Sequence, residues 1–446
     1  MTPAERPRSA PEQHWLARLS FLFVGLAVAF VAVFAELKSL TMLAVGLVGA
    51  VVSLAAAYFF LSRRGVWRWL SLAVFVLTPI AVIAVFALRN LLWVAVVAAA
   101  IWLLASMTAR LALVRDHPDW RMPEHPAEPP ARHPYLIMNP KSGGGKVEKF
   151  DLKRKAEELG AEVFLIDGSE PIDVAKVARE AVAQGADLLG VAGGDGTQAL
   201  VAGIAAEHGI PFVVISAGTR NHFALDLGLN RENPSACLGA LSDGVELRVD
   251  LGRINGQVFV NNASFGAYAE VVETPAYRDD KLNTTLNLLP DLLQGQRGVR
   301  LSARADDTEI RSPQALLVAN NPYGTGDIAG LSRRARLDAG VLGVIGVKVR
   351  NVQQAIDLLR GRRAVGVRVL RTKKIEITAD APQIPVGVDG EALSMSTPVV
   401  CTISPGALRV WVPRDRPGVV PPKPPINWAR LWHLAGIHRK RAEVAA

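Results

Sequence analysis

Residues 188–207 read LLGVAGGDGTQALVAGIAAE, and this stretch decides how the centre of the chain folds. A short apolar run, Leu188–Ala192, leads into a glycine-rich turn at Gly193–Thr197 and then into a helical pattern near Gln198–Glu207. Glycines let backbone N–H groups approach a ligand closely, and the start of a helix carries a partial positive charge. The stretch is therefore typical of a strand, an anion-binding turn and a helix.

The same order of strand and turn occurs on both sides of this stretch. Tyr135–Met138 leads into residues 139–146 (NPKSGGGK), and Pro211–Ile215 leads into residues 217–221 (AGTRN). With helices between the strands, this rhythm predicts a parallel sheet covered by helices on both faces. The carboxyl ends of parallel strands lie on one edge, so the three turns predict a nucleotide site there.

One glycine-rich turn alone would be weak support for a nucleotide site, because a tight turn explains it equally well. The SGGGK segment at residues 142–146 also lacks the GxxxxGK[ST] spacing of a Walker loop. Three such turns after neighbouring strands, one of them carrying Asp195, favour the nucleotide interpretation.

The first quarter of the chain is predicted to be a bundle of membrane-spanning helices. Four stretches without charge are long enough to cross about 30 Å of hydrocarbon as helices. They run roughly over residues 19–35, 39–62, 69–88 and 91–109. Buried helices of a soluble core are the alternative, but such helices usually keep a polar face.

Charges predict the orientation of this bundle. Arginines precede the first span, separate the second from the third and follow the fourth, whereas the other two loops carry only Glu36, Lys38 and Arg89. The positive-inside rule then places both termini and the domain after the spans in the cytoplasm, at the inner or plasma membrane. The net charge of +9 suits anionic lipid rather than nucleic acid once spans are present.

Three motifs carry a resemblance to a known family. Residues 139–145 (NPKSGGG), 191–197 (VAGGDGT) and 216–229 (SAGTRNHFALDLGL) resemble, in order and spacing, the diacylglycerol kinase catalytic domain family. That family includes sphingosine, ceramide and bacterial lipid kinases, and the resemblance covers roughly residues 135–410. The GGDGT turn is shared with NAD kinases and phosphofructokinases, so the other two motifs carry the specificity.

The apolar stretches predict a membrane α-helical bundle, which lies outside the resemblance. The resemblance implies that an α/β domain similar to NAD kinase and phosphofructokinase and then a β-sandwich follow it. An Asn255-Gly256 dipeptide between apolar runs predicts a two-residue hairpin early in the sandwich. The expected domains are a four-helix transmembrane anchor (1–114), a Pro-rich linker (115–134), an ATP-binding domain (135–245), a β-sandwich lipid-substrate domain (246–412) and a basic tail (413–446).

The chemistry implied by the resemblance depends on residues 386–391 (VGVDGE), which match the VDGE motif of the family. Glu391 is the expected proton acceptor, with Asp389 beside it and Asp195 as the third catalytic residue. Mg²⁺ is the expected cofactor, with Asp195 and Asp338 as its predicted ligands. The predicted ATP-binding residues are Asn139, Pro140, Lys141, Ser142, Gly143, Gly193, Gly194, Asp195, Gly196, Thr197, Thr219 and Asn221.

Two departures from the family pattern concern residues that bind magnesium in the family. The Asp that usually follows Gly-Thr-x-Asn is His222 here, and the Asp-Asp-Gly turn reads Asp338-Ala339-Gly340. A neutral histidine does not supply a negative charge, and an alanine cannot bind Mg²⁺. Asp226, one helical turn after His222, is a candidate to compensate for the missing carboxylate.

The sequence therefore predicts an ATP-dependent kinase that phosphorylates a hydroxyl of a membrane lipid, with that lipid and the bilayer as partners. The alternatives are an NAD- or sugar-kinase-like enzyme, or a catalytically weak lipid-binding membrane protein. Residues 426–441 predict an amphipathic helix that either lies on anionic lipid or packs against the kinase domain. The sequence predicts neither the particular lipid nor an oligomeric state.

Overall fold

The computed structural model describes residues 10–34, 39–63, 65–88, 92–113, 121–166, 172–266, 269, 299–323, 333–334, 336–348, 367–419, 426 and 428–436. The chain divides into two compact units. The first unit comprises Met1–Asp119 and Pro421–Ala446, and the second comprises Trp120–Val420. The predicted linker at 115–134 is described from residue 121 onward, and the basic end of the predicted tail lies outside the described residues.

The first unit contains four long apolar helices, as predicted. They are α1 (Ala10–Phe34), α2 (Ser39–Ser62), α3 (Val66–Leu88) and α4 (Leu92–Leu113). Three segments are long and apolar enough to cross a membrane, namely Glu12–Phe34, Val66–Leu88 and Trp93–Leu113, whereas the apolar stretch in α2, Ala44–Phe60, is shorter. Large apolar side chains on these helices face outward, which suits a surrounding of lipid rather than water.

Within the C-terminal tail, Trp428–Ala435 form a helix that packs within the first unit. Leu431 and Ala435 are buried together with small residues of α1 and α4. The ring of Trp432 lies 4.9 Å from the ring of Phe21 on α1. The tail therefore contacts the predicted membrane helices through its apolar face.

The second unit begins with the predicted α/β pattern. Its elements are β1 (His125–Pro126), β2 (Pro134–Met138), α5 (Lys146–Lys149), α6 (Leu152–Glu158), β3 (Glu162–Leu165), α7 (Val174–Ala183), β4 (Leu188–Ala192), α8 (Asp195–Glu207), β5 (Phe212–Ile215) and α9 (His222–Asp226). Strands β3, β2, β4 and β5 lie side by side in parallel, which confirms the predicted sheet. The strands are almost wholly apolar because helices cover them.

The second half of the unit consists of antiparallel strands. They are β6 (Gly244–Ile254), β7 (Gln257–Phe259), β8 (Asn262–Gly266), β9 (Leu301–Ala305), β10 (Thr308–Arg311), β11 (Ala315–Ala319), β12 (Leu342–Val347), β13 (Val367–Thr372), β14 (Lys374–Ala379), β15 (Gln383–Val388), β16 (Glu391–Ser396) and β17 (Val399–Pro413). One sheet has the order β13-β12-β11-β8-β15-β16. It packs its apolar face on strands such as β9, β14 and the first part of β17, which forms the predicted sandwich.

The long strand β17 joins the two halves of this unit. Its first residues pair with β14 of the sandwich, whereas Val410 and Trp411 pair in parallel with β5 of the nucleotide sheet. The larger sheet is therefore continuous, and the core of the nucleotide half also contains Val245–Leu251 and Leu408–Val412. The boundary between the two cores falls within β6 and β17.

A buried ion pair also connects the two halves. Arg334 is fully buried, and its Nε and Nη2 atoms donate to Oδ2 of Asp226 at the end of α9, over 2.8 and 2.5 Å. The same guanidinium donates to the carbonyl oxygens of Val260, Asn261 and Asn320. Asp226 is thus occupied by Arg334, so the expectation that Asp226 compensates for His222 is wrong.

We expect the Arg334→Met substitution to lower the free energy of unfolding by about 3–5 kcal/mol, because it leaves the carboxylate of Asp226 buried without a partner. The thermal unfolding midpoint of the full-length protein in detergent measures this loss. Asp226→Leu combined with Arg334→Met should recover part of it. Arg154→Met, which removes an exposed ion pair on α6, should leave the midpoint unchanged. A wild-type midpoint for Arg334→Met would contradict this account.

Candidate active site

The first glycine turn, residues 139–145, is shaped for close contact between backbones. Gly143, Gly144 and Gly145 have φ angles of 56°, 75° and 81°, a region that favours glycine. A Cβ atom on Gly143 would lie 2.2 Å from the carbonyl oxygen of Ala217, so the first turn touches the third. The backbone N–H of Asn139 donates to the carbonyl of Ala192 over 2.9 Å, which ties the first turn to the second.

The third turn, residues 216–221, is organised by one buried amide. The side chain of Asn221 accepts from the backbone N–H of Gly218 at 2.9 Å and donates to the carbonyl oxygens of Ser216 and Gly218 at 2.9 and 2.6 Å. A Cβ atom on Gly218 would lie 2.7 Å from the carbonyl oxygen of Gly193. Asn221 therefore shapes the turn, while Thr219 is exposed and presents its hydroxyl group.

The second turn carries Asp195 as the first residue of α8. The side chain is buried, with a relative exposure of 8%. Its two carboxylate oxygens accept from the backbone N–H groups of His222 and Phe223, both over 3.1 Å. Asp195 thus links the second turn to the start of α9, and it brings a carboxylate to the place where the three turns meet.

Asp389 lies at the tip between β15 and β16, in a turn with positive φ at Asp389 and Gly390. Its carboxylate accepts from the backbone N–H groups of Val260, Asn261 and Asn262 over 2.8–3.1 Å. Burial raises the pKa of Asp389 to about 7; these three donors oppose the rise and the negative charge of Asp195 adds to it. Asp389 lines the same pocket as Gly196, Thr197 and Glu391, next to the second turn.

Glu391 brings its carboxylate directly onto the GGDGT turn. A Cβ atom added to Gly196 would lie 2.1 Å from Oε1 of Glu391, so a larger residue at this position would displace the carboxylate. The VDGE tip and the second turn are therefore in van der Waals contact, as the resemblance implied. Glu391 itself is exposed to solvent, and a substrate hydroxyl can reach it.

The two departures from the family pattern are visible in the structure. Burial lowers the pKa of the His222 imidazole, although the charges of Asp195 and Asp226 oppose this shift, so His222 is neutral near pH 7. Asp338 is paired with Arg336, whose Nε and Nη2 atoms donate to its two oxygens over 2.7 Å each. This guanidinium competes with a cation, so the predicted metal role of Asp338 gains no support here.

The remaining groups suit a metal that arrives with a nucleotide. Among the described residues, no group of three or more His, Cys, Asp or Glu side chains is arranged as a metal site. Mg²⁺ usually takes one or two carboxylates together with phosphate oxygens and water. Asp195, beside three turns that can hold phosphates, fits that pattern without a preformed protein cage.

Comparison with known families agrees with this geometry. The diacylglycerol kinase catalytic domain matches residues 133–254, and the YegS C-terminal NAD kinase beta sandwich-like domain matches residues 267–412. The "Probable lipid kinase YegS-like" protein of Pseudomonas aeruginosa is 30% identical over 294 residues, which cover 63% of this chain and 95% of that protein. The chain belongs to the diacylglycerol kinase catalytic domain family.

Other members of the family show similar coverage. The diacylglycerol kinase of Bacillus subtilis is 28% identical over 272 residues, 57% of this chain and 88% of that protein. A crystal structure of a diacylglycerol kinase from Bacillus anthracis superimposes with a TM-score of 0.52 at 22% identity, covering 66% of this chain and all of that chain. The likeness to the solved structure shows the shared fold.

The structure brings together most of the predicted residues. The three turns with Asn139–Gly143, Gly193–Thr197 and Thr219 converge. Glu391 contacts Gly196, which follows Asp195, and Asp389 lines the same pocket. Sequence reasoning missed Arg334, whose partner Asp226 lies 108 positions away. No local pattern marks such a long-range pair, and only the unusual buried charge in the folded chain identifies it.

We expect Gly143→Ala to weaken nucleotide binding far more than Gly144→Ala. Both glycines have positive φ, so each alanine costs about 1–2 kcal/mol of backbone strain. Only the methyl group at position 143 would also collide with the backbone of Ala217, because nothing lies within 4 Å of the position a Cβ would take at Gly144. Titration with a fluorescent ATP analogue measures the difference. Equal losses in the two variants would show that the contact between the turns is unimportant.

Proposed function

We propose that this protein is an ATP-dependent lipid kinase that transfers the γ-phosphate to a hydroxyl group of a membrane lipid such as diacylglycerol. The contact between the Glu391 carboxylate and Gly196, one residue after Asp195, is the observation that carries the proposal. It puts a proton acceptor next to a turn suited to phosphates. Membership of the diacylglycerol kinase family supports the same reaction class.

In this proposal the three turns bind the nucleotide. Backbone N–H groups of Asn139–Gly145 and Gly193–Thr197 donate to phosphate oxygens, and the Thr219 hydroxyl adds a further donor. Lys141 and Lys146 lie in and next to the first turn and add positive charge near the phosphates. Asn221 contributes through the shape of the third turn, because its amide is used within that turn.

Glu391 acts as the general base in the proposed transfer. The lipid O–H gives its proton to the Glu391 carboxylate as the oxygen forms a bond to the γ-phosphorus. The bond between that phosphorus and the bridging oxygen breaks, and ADP leaves with the electron pair. Asp389 holds the backbone of Val260–Asn262 and so fixes the position of the tip.

Mg²⁺ would supply charge neutralisation for the transferred group when it is bound with the nucleotide. Asp195 is the residue that we propose to hold it, directly or through water. We further propose that the apolar helices of the first unit span the cell membrane, with the kinase unit and both termini in the cytoplasm. The arginines that flank the spans support this orientation.

We expect Glu391→Gln to lower turnover by about 10²–10⁴-fold with little change in ATP affinity, because the amide cannot accept the proton. Asp195→Asn should lower both turnover and affinity for the magnesium nucleotide. The measurement is transfer of radiolabel from ATP to a mixture of membrane lipids by the full-length protein in detergent. Glu157→Gln on the exposed face of α6 is the control and should behave like the wild type.

The same assay separates the alternatives. Label in the organic phase supports the lipid kinase, whereas label in a water-soluble product would favour an NAD- or sugar-kinase-like enzyme. Binding of lipid without any labelled product would favour a catalytically weak lipid-binding protein, for which the neutral His222 in place of a carboxylate is the structural argument.

We expect MgCl₂ alone to leave the thermal unfolding midpoint unchanged and magnesium with ATP to raise it. The reason is that Asp195 offers one carboxylate rather than a complete cage, so the metal needs the phosphates as additional ligands. Chelation with EDTA should remove the increase and stop phosphate transfer. A clear rise with MgCl₂ alone would instead indicate a metal site made by the protein.

A further inference from the structure

A pocket of about 330 Å³ adjoins Glu391 and shares only Gly196 and Thr197 with the nucleotide-binding turns proposed above. One wall is a face of α8 that includes Gly196, Leu200, Gly203 and Glu207. These positions are spaced by three or four residues and so lie on the same side of a helix. The opposite wall is formed by the β6–β7 hairpin, with Gln257 and Val258, and by the VDGE tip.

The pocket is bounded by the second turn and by Glu391, but not by the first or the third turn. Among the residues that the structure describes, the pocket wall includes Gly196, Thr197, Asp389 and Glu391 but no residue of 139–145 or 217–221. Gly196 and Glu207 are eleven positions apart, which corresponds to about 16 Å along a helix. A molecule in this pocket would place one end at Glu391 and extend along α8.

The charges around the pocket disfavour an anion. Three carboxyl groups, those of Glu207, Asp389 and Glu391, line it together with one guanidinium, that of Arg179. A triphosphate or a phospholipid head group would be repelled by this surplus of negative charge. Leu200, with a relative exposure of 44%, and Val258 add apolar surface to the pocket. Removal of this surface from water by an apolar ligand would be favourable.

We propose that this pocket binds the head of the acceptor lipid, an uncharged alcohol of diacylglycerol type, with its hydroxyl at Glu391 and its first carbons along Leu200 and Val258. The proposal rests on the lipid kinase function proposed above. A volume of 330 Å³ is at the lower end for small-molecule sites, so it suits a head group and the adjoining carbons rather than two whole acyl chains.

The size of the pocket can be tested with Leu200→Trp, because the larger side chain fills the space while its position on an exposed face tolerates the change. With dioctanoylglycerol in mixed micelles, the apparent KM for the lipid should rise about tenfold, and the KM for ATP should stay unchanged. Leu159→Trp, at a similarly exposed leucine at the end of α6, is the matched control and should leave both constants unchanged.

The charge of the pocket can be tested with Glu207→Lys. This variant should shift the ratio of rates toward phosphatidylglycerol, an anionic lipid with a free hydroxyl, and away from dioctanoylglycerol. Glu157→Lys on the surface of α6 controls for a general change in attraction to anionic micelles. An unchanged ratio relative to this control would contradict the assigned role of the pocket charge.

A readout that does not depend on turnover uses the Glu391→Gln protein and a dioctanoylglycerol analogue that carries a photoactivatable diazirine. Cross-links to the peptide of α8 support the proposal. If cross-links form only elsewhere, they overturn it.

The outcomes also distinguish failure of the pocket proposal from failure of the proposed lipid kinase function. A wild-type protein that phosphorylates lipid, with Leu200→Trp equal to Leu159→Trp, overturns the pocket but not the function. A wild-type protein that binds ATP but labels no lipid overturns both.

Discussion

The buried pair between Arg334 and Asp226 holds the nucleotide half of the second unit against the sandwich half. A guanidinium has five N–H donors in a fixed plane, and here they reach the Asp226 carboxylate and backbone or amide oxygens of three sandwich residues. A hydrophobic contact of the same size could slide by an ångström or more. This set of directed bonds fixes the distance between α9 and the Val260–Asn261 segment.

The distance between α9 and the Val260–Asn261 segment matters because both belong to a closed chain of hydrogen bonds and contacts around the candidate active site. Asp195 accepts from the first N–H groups of α9, and α9 ends at Asp226. Arg334 continues the chain to the carbonyls of Val260 and Asn261, whose N–H groups donate to Asp389. Glu391, two residues after Asp389, contacts Gly196, which follows Asp195 in the second turn. This contact closes the chain. Each member of the chain limits how far the proposed base can move from the proposed phosphate site.

The sequence predicts those parts of the site whose structure is determined by residues that are neighbours in the chain. Three strand–glycine turns predict their own convergence because parallel strands end on one edge. The Asn255-Gly256 hairpin follows from the positive φ angles that both residues adopt. Arg334 was not predictable, since its pairing depends on how α9 and the sandwich meet. The path of β17 through the sandwich half and the nucleotide half of the larger sheet was also not predictable, because an apolar strand does not specify its neighbour.

The same chain of interactions explains why a neutral His222 is compatible with an intact site. The carboxylate expected at that position would lie close to Asp195 and Asp226, the two negatively charged groups among those that act on the imidazole. The fold keeps the backbone N–H of residue 222 on Asp195 whatever the side chain is, so the shape of the turn does not depend on a carboxylate there. What changes is charge. One negative charge fewer beside Asp195 would weaken the attraction for a cation, and in the proposed magnesium site it would place more of the metal binding on the phosphates.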